Sequence, residues 1–311
     1  MRIGIYGLGR MGANMARRLA RGGIEVVGLN RSPAAVDALR EEPGFLPAYA
    51  LDDFLEQLPA PRVVWLMLPA GAATDAAIDA LLPRLAAGDV LVDGGNSWYR
   101  DTLNRAEKVR ATGVDYVDVG TSGGIWGLKN GYCLMAGGEA AALSRLAPAL
   151  KALAPAADRG WAHVGPVGAG HFVKMIHNGI EYGMMQAYAE GLALLRRKEE
   201  FALDLAEITE LWRHGSVVQS WLLDLTADAL AHKGQDLSAI APVVADSGEG
   251  RWTAREAIDL GVAAPVMTLA LQMRFDSQDA EAYGNRLLSL MRNAFGGHAI
   301  VDAGAPSAEK N

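Results

Sequence analysis

Short apolar and β-branched runs recur through the first half of the chain, at Arg2–Tyr6, Glu25–Leu29, Val63–Leu68, Val90–Val92, Tyr116–Val119 and Cys133–Ala136. Between them lie Ala-, Leu- and Arg-rich stretches of helical character: Met11–Gly22, Ser32–Leu39, Asp52–Gln57, Ala73–Arg84, Arg100–Thr112 and Glu139–Ala154. This alternation predicts parallel strands joined by crossover helices, a doubly wound α/β sheet. After Val164-Gly165-Pro166 strand-like runs almost vanish, and Ala, Leu, Met and Glu dominate through to Met291. The second half is therefore expected to be all-α. Its first helix, from about Gly170 to Lys198, is long for a globular helix. The expected organisation is an α/β domain over residues 1–165, a helical substrate and dimerisation domain over 166–300, and a polar tail over 301–311 that frays.

The 311 residues are half apolar, enough to bury two cores of about 150 residues each. Lys and Arg total 29 against 36 Asp and Glu, for a net charge of −7 without a basic block, which argues against a nucleic-acid partner. The single cysteine, Cys133, has no partner for an internal disulfide. The first residues lack the layout of a secretion signal, and the most apolar stretch, Val63–Ala73, is about half a membrane span and is interrupted by Pro69 and Gly71. A cytoplasmic chain with no membrane partner is expected. Glycine is abundant at 36 residues, and many glycines cluster at the ends of β-like runs, where loops meet ligands.

The first such cluster, Gly7-Leu8-Gly9-Arg10-Met11-Gly12, joins the first strand to the first helix. In that context Gly7 permits a tight turn, Gly9 lets backbone approach a pyrophosphate, and Gly12 allows close helix–strand packing, with the helix N-terminus facing the anion. A nicotinamide dinucleotide is the expected cofactor. At the end of the second strand, where an acidic residue would accept from a ribose 2′-hydroxyl, the chain has Asn30-Arg31-Ser32. A guanidinium flanked by neutral donors favours a 2′-phosphate, hence NADP over NAD. The alternatives are a solvated Arg31, or one stacked on the adenine without sensing the phosphate.

On the long helix, His177, Asn178 and Glu181 stand at +3, +4 and +7 from Lys174, so at ~100° per residue all four project from one face. A merely solvated polar stripe is the alternative. Oxidising an alcohol beside a nicotinamide leaves a proton on the oxygen, which a neutral amine within reach can take. Burial and neighbouring cations are the means of making Lys174 neutral. Glu181 is placed to act as an acid on a neighbouring carbon, so the pattern contains two proton carriers.

Five motifs in order, Gly7 to Gly12, Asp93-Gly94-Gly95-Asn96-Ser97, Ser122-Gly123-Gly124, the lysine helix, and Asp246-Ser247-Gly248-Glu249-Gly250-Arg251-Trp252-Thr253, resemble the 6-phosphogluconate dehydrogenases, specifically the shorter bacterial type. The resemblance runs from Gly7 to His298. It implies metal-independent oxidative decarboxylation of 6-phospho-D-gluconate to ribulose 5-phosphate and carbon dioxide, with reduction of the cofactor. By the same resemblance Lys174 is the base at the C3 hydroxyl and Glu181 the acid at C1 of the enediol. Asn96, Ser122, Gly123, Gly124, His177 and Asn178 resemble substrate-positioning groups, with Asn96 also near the nicotinamide. Tyr182, Arg251 and Arg274 resemble phosphate contacts, Arg251 standing where longer members carry lysine. Arg292 and His298 resemble a C-terminal motif that reaches into a partner's site, and longer members carry a further helical domain beyond the matched region. Whether those two residues serve their own subunit or another, in a homodimer or homotetramer, is left open. Met11, Leu68 and Pro69 are candidates to bracket the cofactor, with core packing the alternative. Two rivals are a non-decarboxylating β-hydroxyacid dehydrogenase, which needs no second proton carrier such as Glu181, and a cofactor-sensing protein without catalysis.

Overall fold

The computed structural model describes residues 1–301, and past Val301 the polar tail foreseen from the sequence lies outside them. Eight strands form one sheet: β1 (Arg2–Tyr6), β2 (Glu25–Leu29), β3 (Phe45–Ala48), β4 (Val63–Leu66), β5 (Val90–Asp93), β6 (Asp115–Ser122), β7 (Cys133–Gly137) and β8 (Trp161–Gly165). Their order is β3-β2-β1-β4-β5-β6-β7-β8, with every neighbouring pair parallel except β6 and β7. The helices between them are α1 (Arg10–Arg21), α2 (Pro33–Asp37), α3 (Leu51–Glu56), α4 (Ala72–Leu81), α5 (Tyr99–Arg110), α6 (Gly127–Asn130) and α7 (Ala140–Leu153). The remainder is helical: α8 (Ala169–Arg197), α9 (Leu205–Trp212), α10 (Trp221–Lys233), α11 (Glu249–Asp259), α12 (Pro265–Gln278) and α13 (Tyr283–Gly296). A Rossmann-type sheet followed by helices is the architecture the pattern foretold. No helix of the described residues is long and apolar enough to cross a membrane.

Burial on both sides explains why the central strands read as unbroken apolar runs. Ile3, Ile5, Trp65, Val92 and Val119 pack on one face against Met15 and Leu19 of α1 and Leu146 and Leu150 of α7. Val27, Leu66 and Leu91 pack on the other against Phe54, Ile78 and Val109. The chain departs from β1 to β2 and β3, then returns to β4 on the opposite side of β1. That reversal opens a crevice at the carboxyl edge of the sheet, where ligands of open α/β folds bind.

Two strands were not foreseen. β3 contains Pro47, which lacks a ladder donor and is tolerated because β3 forms one edge of the sheet. β8 forms the other edge and is largely exposed, so it carries no apolar run. β4 is shorter than expected, since Met67 and Leu68 already belong to the loop beyond it, and β6 is longer, extending through Gly120 to Ser122.

By compactness the residues divide into one unit of Met1–Glu181 with Glu249–Val262, and a second of Tyr182–Gly248 with the residues from Ala263 onward. In the second unit α9 and α10 pack together, their first turns closed by Asp204, which accepts from the amides of Ala206 and Glu207, and by Ser220, which accepts from Leu223.

Candidate active site

The loop after β1 fits a diphosphate. Gly7 has φ 109°, and a Cβ there would lie 2.4 Å from the Met67 carbonyl oxygen, so only glycine makes this turn. A Cβ on Gly12 would stand 2.0 Å from the Gly7 oxygen, which is the close helix–strand contact expected of the third glycine. Beside Gly9, by contrast, a Cβ would meet nothing within 4 Å. No side chain caps α1 and no acidic residue lies in its first turn, leaving its N-terminal amides and positive dipole end to an anion.

Asn30 supports this loop from β2. Its Oδ1 accepts from the Leu8 amide at 3.0 Å and its Nδ2 donates to the Ser32 carbonyl. Arg31 and Ser32 are exposed next to it, and Arg10 and Pro69 are exposed as well. Met11 and Leu68 are half-buried against the two cores, while Leu8 is buried.

Beyond β5, Asp93 organises the next loop from a fully buried position. One carboxylate oxygen accepts from the Gly95 amide, the other from Ser97 Oγ, Arg105 and Tyr116 OH. The loop thereby presents Asn96 at φ 51° to β6, where its amide exchanges two hydrogen bonds with the Thr121 backbone, at 2.8 and 3.0 Å. Ser122, Gly123 and Gly124 follow directly, with Gly123 and Gly124 both at positive φ.

The start of α8 is fixed by residues that carry no side chain. A Cβ on Gly120 of β6 would lie 2.4 Å from Lys174 Cβ and 2.7 Å from the Gly170 oxygen, and one on Gly170 would lie 2.4 Å from the Met135 oxygen. The helix thus rests on the sheet backbone itself. The buried Asp118 carboxylate then accepts from the amides of Gly168 and His171, each at 2.7 Å, capping α8 from within β6. Burial pushes the Asp118 carboxyl above its ordinary range.

On this platform Lys174, His177, Asn178 and Glu181 share one helix face, as their spacing required. Lys174 is 5 % exposed. Its Nζ donates to Asn178 Oδ1 at 2.5 Å and lies 3.3 Å from His177 Nδ1. His177 Nδ1 is also 3.0 Å from Asn178 Oδ1, and its Nε2 is 3.3 Å from Ser122 Oγ. If Nδ1 donates to Asn178, Nε2 accepts from Ser122; in the other tautomer Nε2 donates to Ser122. Glu181 Oε2 is 3.8 Å from His177 Nδ1.

Burial lowers the Lys174 pKa below the ordinary lysine range, against the opposing pull of Glu181, Glu249 and Cys133. The chain's own charges that act on the amine are acidic, from the helix face and from the motif before Trp252, so the cation that lowers it further would be the oxidised nicotinamide of a bound cofactor. Burial, followed by the charge of Lys174, also lowers the His177 pKa, which favours the neutral ring near pH 7.

Of the expected phosphate contacts, Tyr182 and Arg274 meet within the second unit. The Arg274 guanidinium lies 3.5 Å from the Tyr182 ring centroid and donates to the Ala245 carbonyl, and Tyr182 OH is 3.1 Å from both Ser247 Oγ and the Ser247 amide. Arg251 is exposed on α11, in the first unit. Arg292 lies exposed on α13 and His298 just past its C-terminal cap, where Asn293 holds the His298 carbonyl.

Sequence reasoning missed the supporting residues Asp118 and Gly120, and named Thr253 only as the end of a motif, without a role. Asp118 did carry a signal, an acid inside the apolar run Tyr116–Val119. Thr253 donates to the Met175 carbonyl, and its methyl occupies the space left by Gly179, locking α11 across α8 one residue from Lys174.

An open doubly wound sheet with a diphosphate-shaped glycine loop, together with a buried amine on a polar helix face, defines a nicotinamide dinucleotide-binding oxidoreductase. Residues 2–165 match the family model for the NAD binding domain of 6-phosphogluconate dehydrogenase, and residues 170–302 match that for the 6-phosphogluconate dehydrogenase C-terminal domain. The chain belongs to the 6-phosphogluconate dehydrogenase family. It is 41 % identical over 301 residues to the NAD(+)-dependent, decarboxylating 6-phosphogluconate dehydrogenase of Haloferax volcanii, covering 97 % of this chain and 99 % of that one. To the decarboxylating enzyme of Escherichia coli strain K12 it is 37 % identical over 304 residues, 92 % of this chain and 64 % of that longer one. Among solved structures, Plasmodium falciparum 6-phosphogluconate dehydrogenase, studied apo and with NADP+ or 6-phosphogluconate, superposes with a TM-score of 0.83 at 28 % identity, covering 98 % of this chain and 67 % of that one.

Proposed function

We propose that this protein oxidatively decarboxylates 6-phospho-D-gluconate to ribulose 5-phosphate, using NADP in preference to NAD. The observation that carries the reading is the buried Lys174 amine, held by Asn178 and His177 on a family-matched helix beside the Ser122 loop. A bound nicotinamide supplies the acceptor for the two electrons and hydrogen that leave C3. Gly7, Gly9, Gly12 and the first turn of α1 hold its diphosphate, and Arg31 its 2′-phosphate. Lys174, neutral when substrate arrives, takes the proton of the C3 hydroxyl as that carbon is oxidised. The resulting β-keto acid loses its carboxylate because the ketone accepts the electrons, and the Lys174 ammonium formed in the first step stabilises the enediolate oxygen. Glu181 then delivers a proton to C1. Asn96, Ser122, Gly123, Gly124, His177 and Asn178 orient the sugar acid. Tyr182 and Arg274, with Arg251, Arg292 and His298, receive its phosphate.

Following reduced-cofactor absorbance together with carbon dioxide release, on 6-phosphogluconate with NADP, tests the assignment. Both signals should rise one to one. Reduction without gas would favour a non-decarboxylating β-hydroxyacid dehydrogenase, and silence in both a cofactor sensor.

Cofactor choice rests on the absence of an acid at Asn30-Arg31-Ser32. Arg31→Asp should turn the NADP to NAD ratio of kcat/KM toward NAD by roughly ten- to a hundredfold, the worth of a lost charge-assisted contact plus a new repulsion. An unchanged ratio would dismiss Arg31 as the 2′-phosphate group. Arg274→Ala should raise KM for 6-phosphogluconate by about tenfold or more with little change in kcat, since binding of a remote phosphate is uniform along the reaction. Unaltered KM would move the phosphate site elsewhere. The exposed apolar side chains Val266, Leu269, Leu287, Leu288 and Met291 of α12 and α13 support a homodimer or homotetramer, which light scattering would read directly.

A further inference from the structure

The first turn of α11 carries an acid that the reaction scheme above leaves unused. Glu249 Oε2 is buried and has no hydrogen-bond partner among the described residues. A buried carboxylate oxygen without a partner costs stability, and such groups survive where they serve a site. Its placement is fixed by Thr253, whose Oγ1 donates at 2.9 Å both to the Glu249 carbonyl and to the Met175 carbonyl, while its methyl fills the space left by Gly179. The Glu249 backbone is thereby tied, through Thr253, to the turn of α8 that bears Lys174.

We propose that Glu249 is a positioning residue of the reaction, the counter-ion that α11 presents to the Lys174 amine. The proposal rests on Lys174 being the base, as assigned above. That amine has to be neutral at the first proton transfer and an ammonium when the carboxylate leaves. Burial alone favours only the first state. A carboxylate from a second helix offsets part of the burial and brings the two states closer in free energy.

The charged and titratable groups around the amine are Glu181 and His177 on α8, Cys133 at the start of β7, and Glu249 on α11. Glu181, Glu249 and Cys133 all raise its pKa, in that order, while burial lowers it. The His177 pKa is itself lowered, by burial and then by Lys174, so its ring stands neutral beside the amine. Removing Glu249 therefore lets the Lys174 pKa fall further. Because the neutral amine is the active form, the rising limb of kcat/KM against pH has to move to lower pH.

Glu249→Gln keeps the size and hydrogen-bonding capacity of the side chain and removes its charge. Two readouts are taken on wild type and variant across pH: kcat/KM for 6-phosphogluconate with NADP, and the rate of acetic anhydride labelling of Lys174 followed by mass spectrometry, which reports the neutral amine whatever its role. Both midpoints should shift down by about half to one pH unit. Glu249→Asp, which withdraws the charge by one methylene, should give a smaller shift in the same direction, and serves alone if the Gln variant does not fold. Unmoved labelling in a variant that binds NADP normally overturns the proposal, whether or not the rate profile changes. A labelling shift with an unmoved rate profile would support the counter-ion and overturn Lys174 as the base.

Discussion

Lys174→Met is expected to lower kcat by about a thousandfold or more while leaving NADP affinity within twofold. Methionine matches the length and volume of the lysine stem, so the packing against Gly120 of β6 survives and only the amine is lost. Chemistry loses both a proton acceptor for the alcohol and a cation for the enediolate, and the two losses fall on successive steps. Stability should move the opposite way or hardly at all. Lys174 is 5 % exposed, and an apolar side chain there escapes the desolvation that the amine suffers. Turnover assays, NADP titration by calorimetry and urea unfolding on one preparation read all three quantities. A variant with wild-type kcat would remove Lys174 as the base, and one that loses NADP binding together with activity would point to misfolding instead.

Gly120→Ala should damage both the fold and the chemistry, by about 2 kcal/mol or more in stability and at least tenfold in kcat/KM. The added methyl meets two different obstacles. One, Lys174 Cβ at 2.4 Å, belongs to the side chain whose amine must be placed; the other, the Gly170 carbonyl at 2.7 Å, is backbone in the first turn of α8. Neither yields by a rotamer change, so the helix has to lift from β6. Lifting it strains the bonds from Asp118 to the amides of Gly168 and His171 and moves the amine away from the Ser122 loop. Gly9→Ala makes a comparison, since a Cβ there meets no protein atom within 4 Å. It should leave urea stability nearly untouched and weaken the cofactor alone. Equal stability for Gly120→Ala and wild type would show that α8 does not rest on β6 as described.

What was legible in the sequence is what short-range pattern encodes. Continuous apolar runs marked the central strands because both faces of the sheet are covered. The spacing of Gly7, Gly9 and Gly12 and the +3, +4, +7 face of the lysine helix were readable because turn and helix geometry are local. The edge strands β3 and β8 escaped, for half-exposed edges have no apolar signature and Pro47 reads as a break. The devices that place the base were harder to see. Asp118 reaches 53 residues along the chain to the His171 amide, and Thr253 reaches 78 to the Met175 carbonyl. Partners so distant leave no periodicity. Glu249 was visible inside a family motif, yet its relation to Lys174 depends on two helices crossing. Asn30, expected as a neutral donor toward the cofactor, also holds the Leu8 amide through its Oδ1, a contact that no spacing encodes.

The capping of α8 by a carboxylate on an interior strand has a consequence for motion. A helix end closed by its own neighbouring residues frays readily, but this one is tied to the sheet, so its leading amides open only when β6 itself gives way. In deuterium exchange the amides of Gly168 and His171 should therefore lag with the strands of the sheet, and the turn that carries the amine, three residues further on, should lag with them.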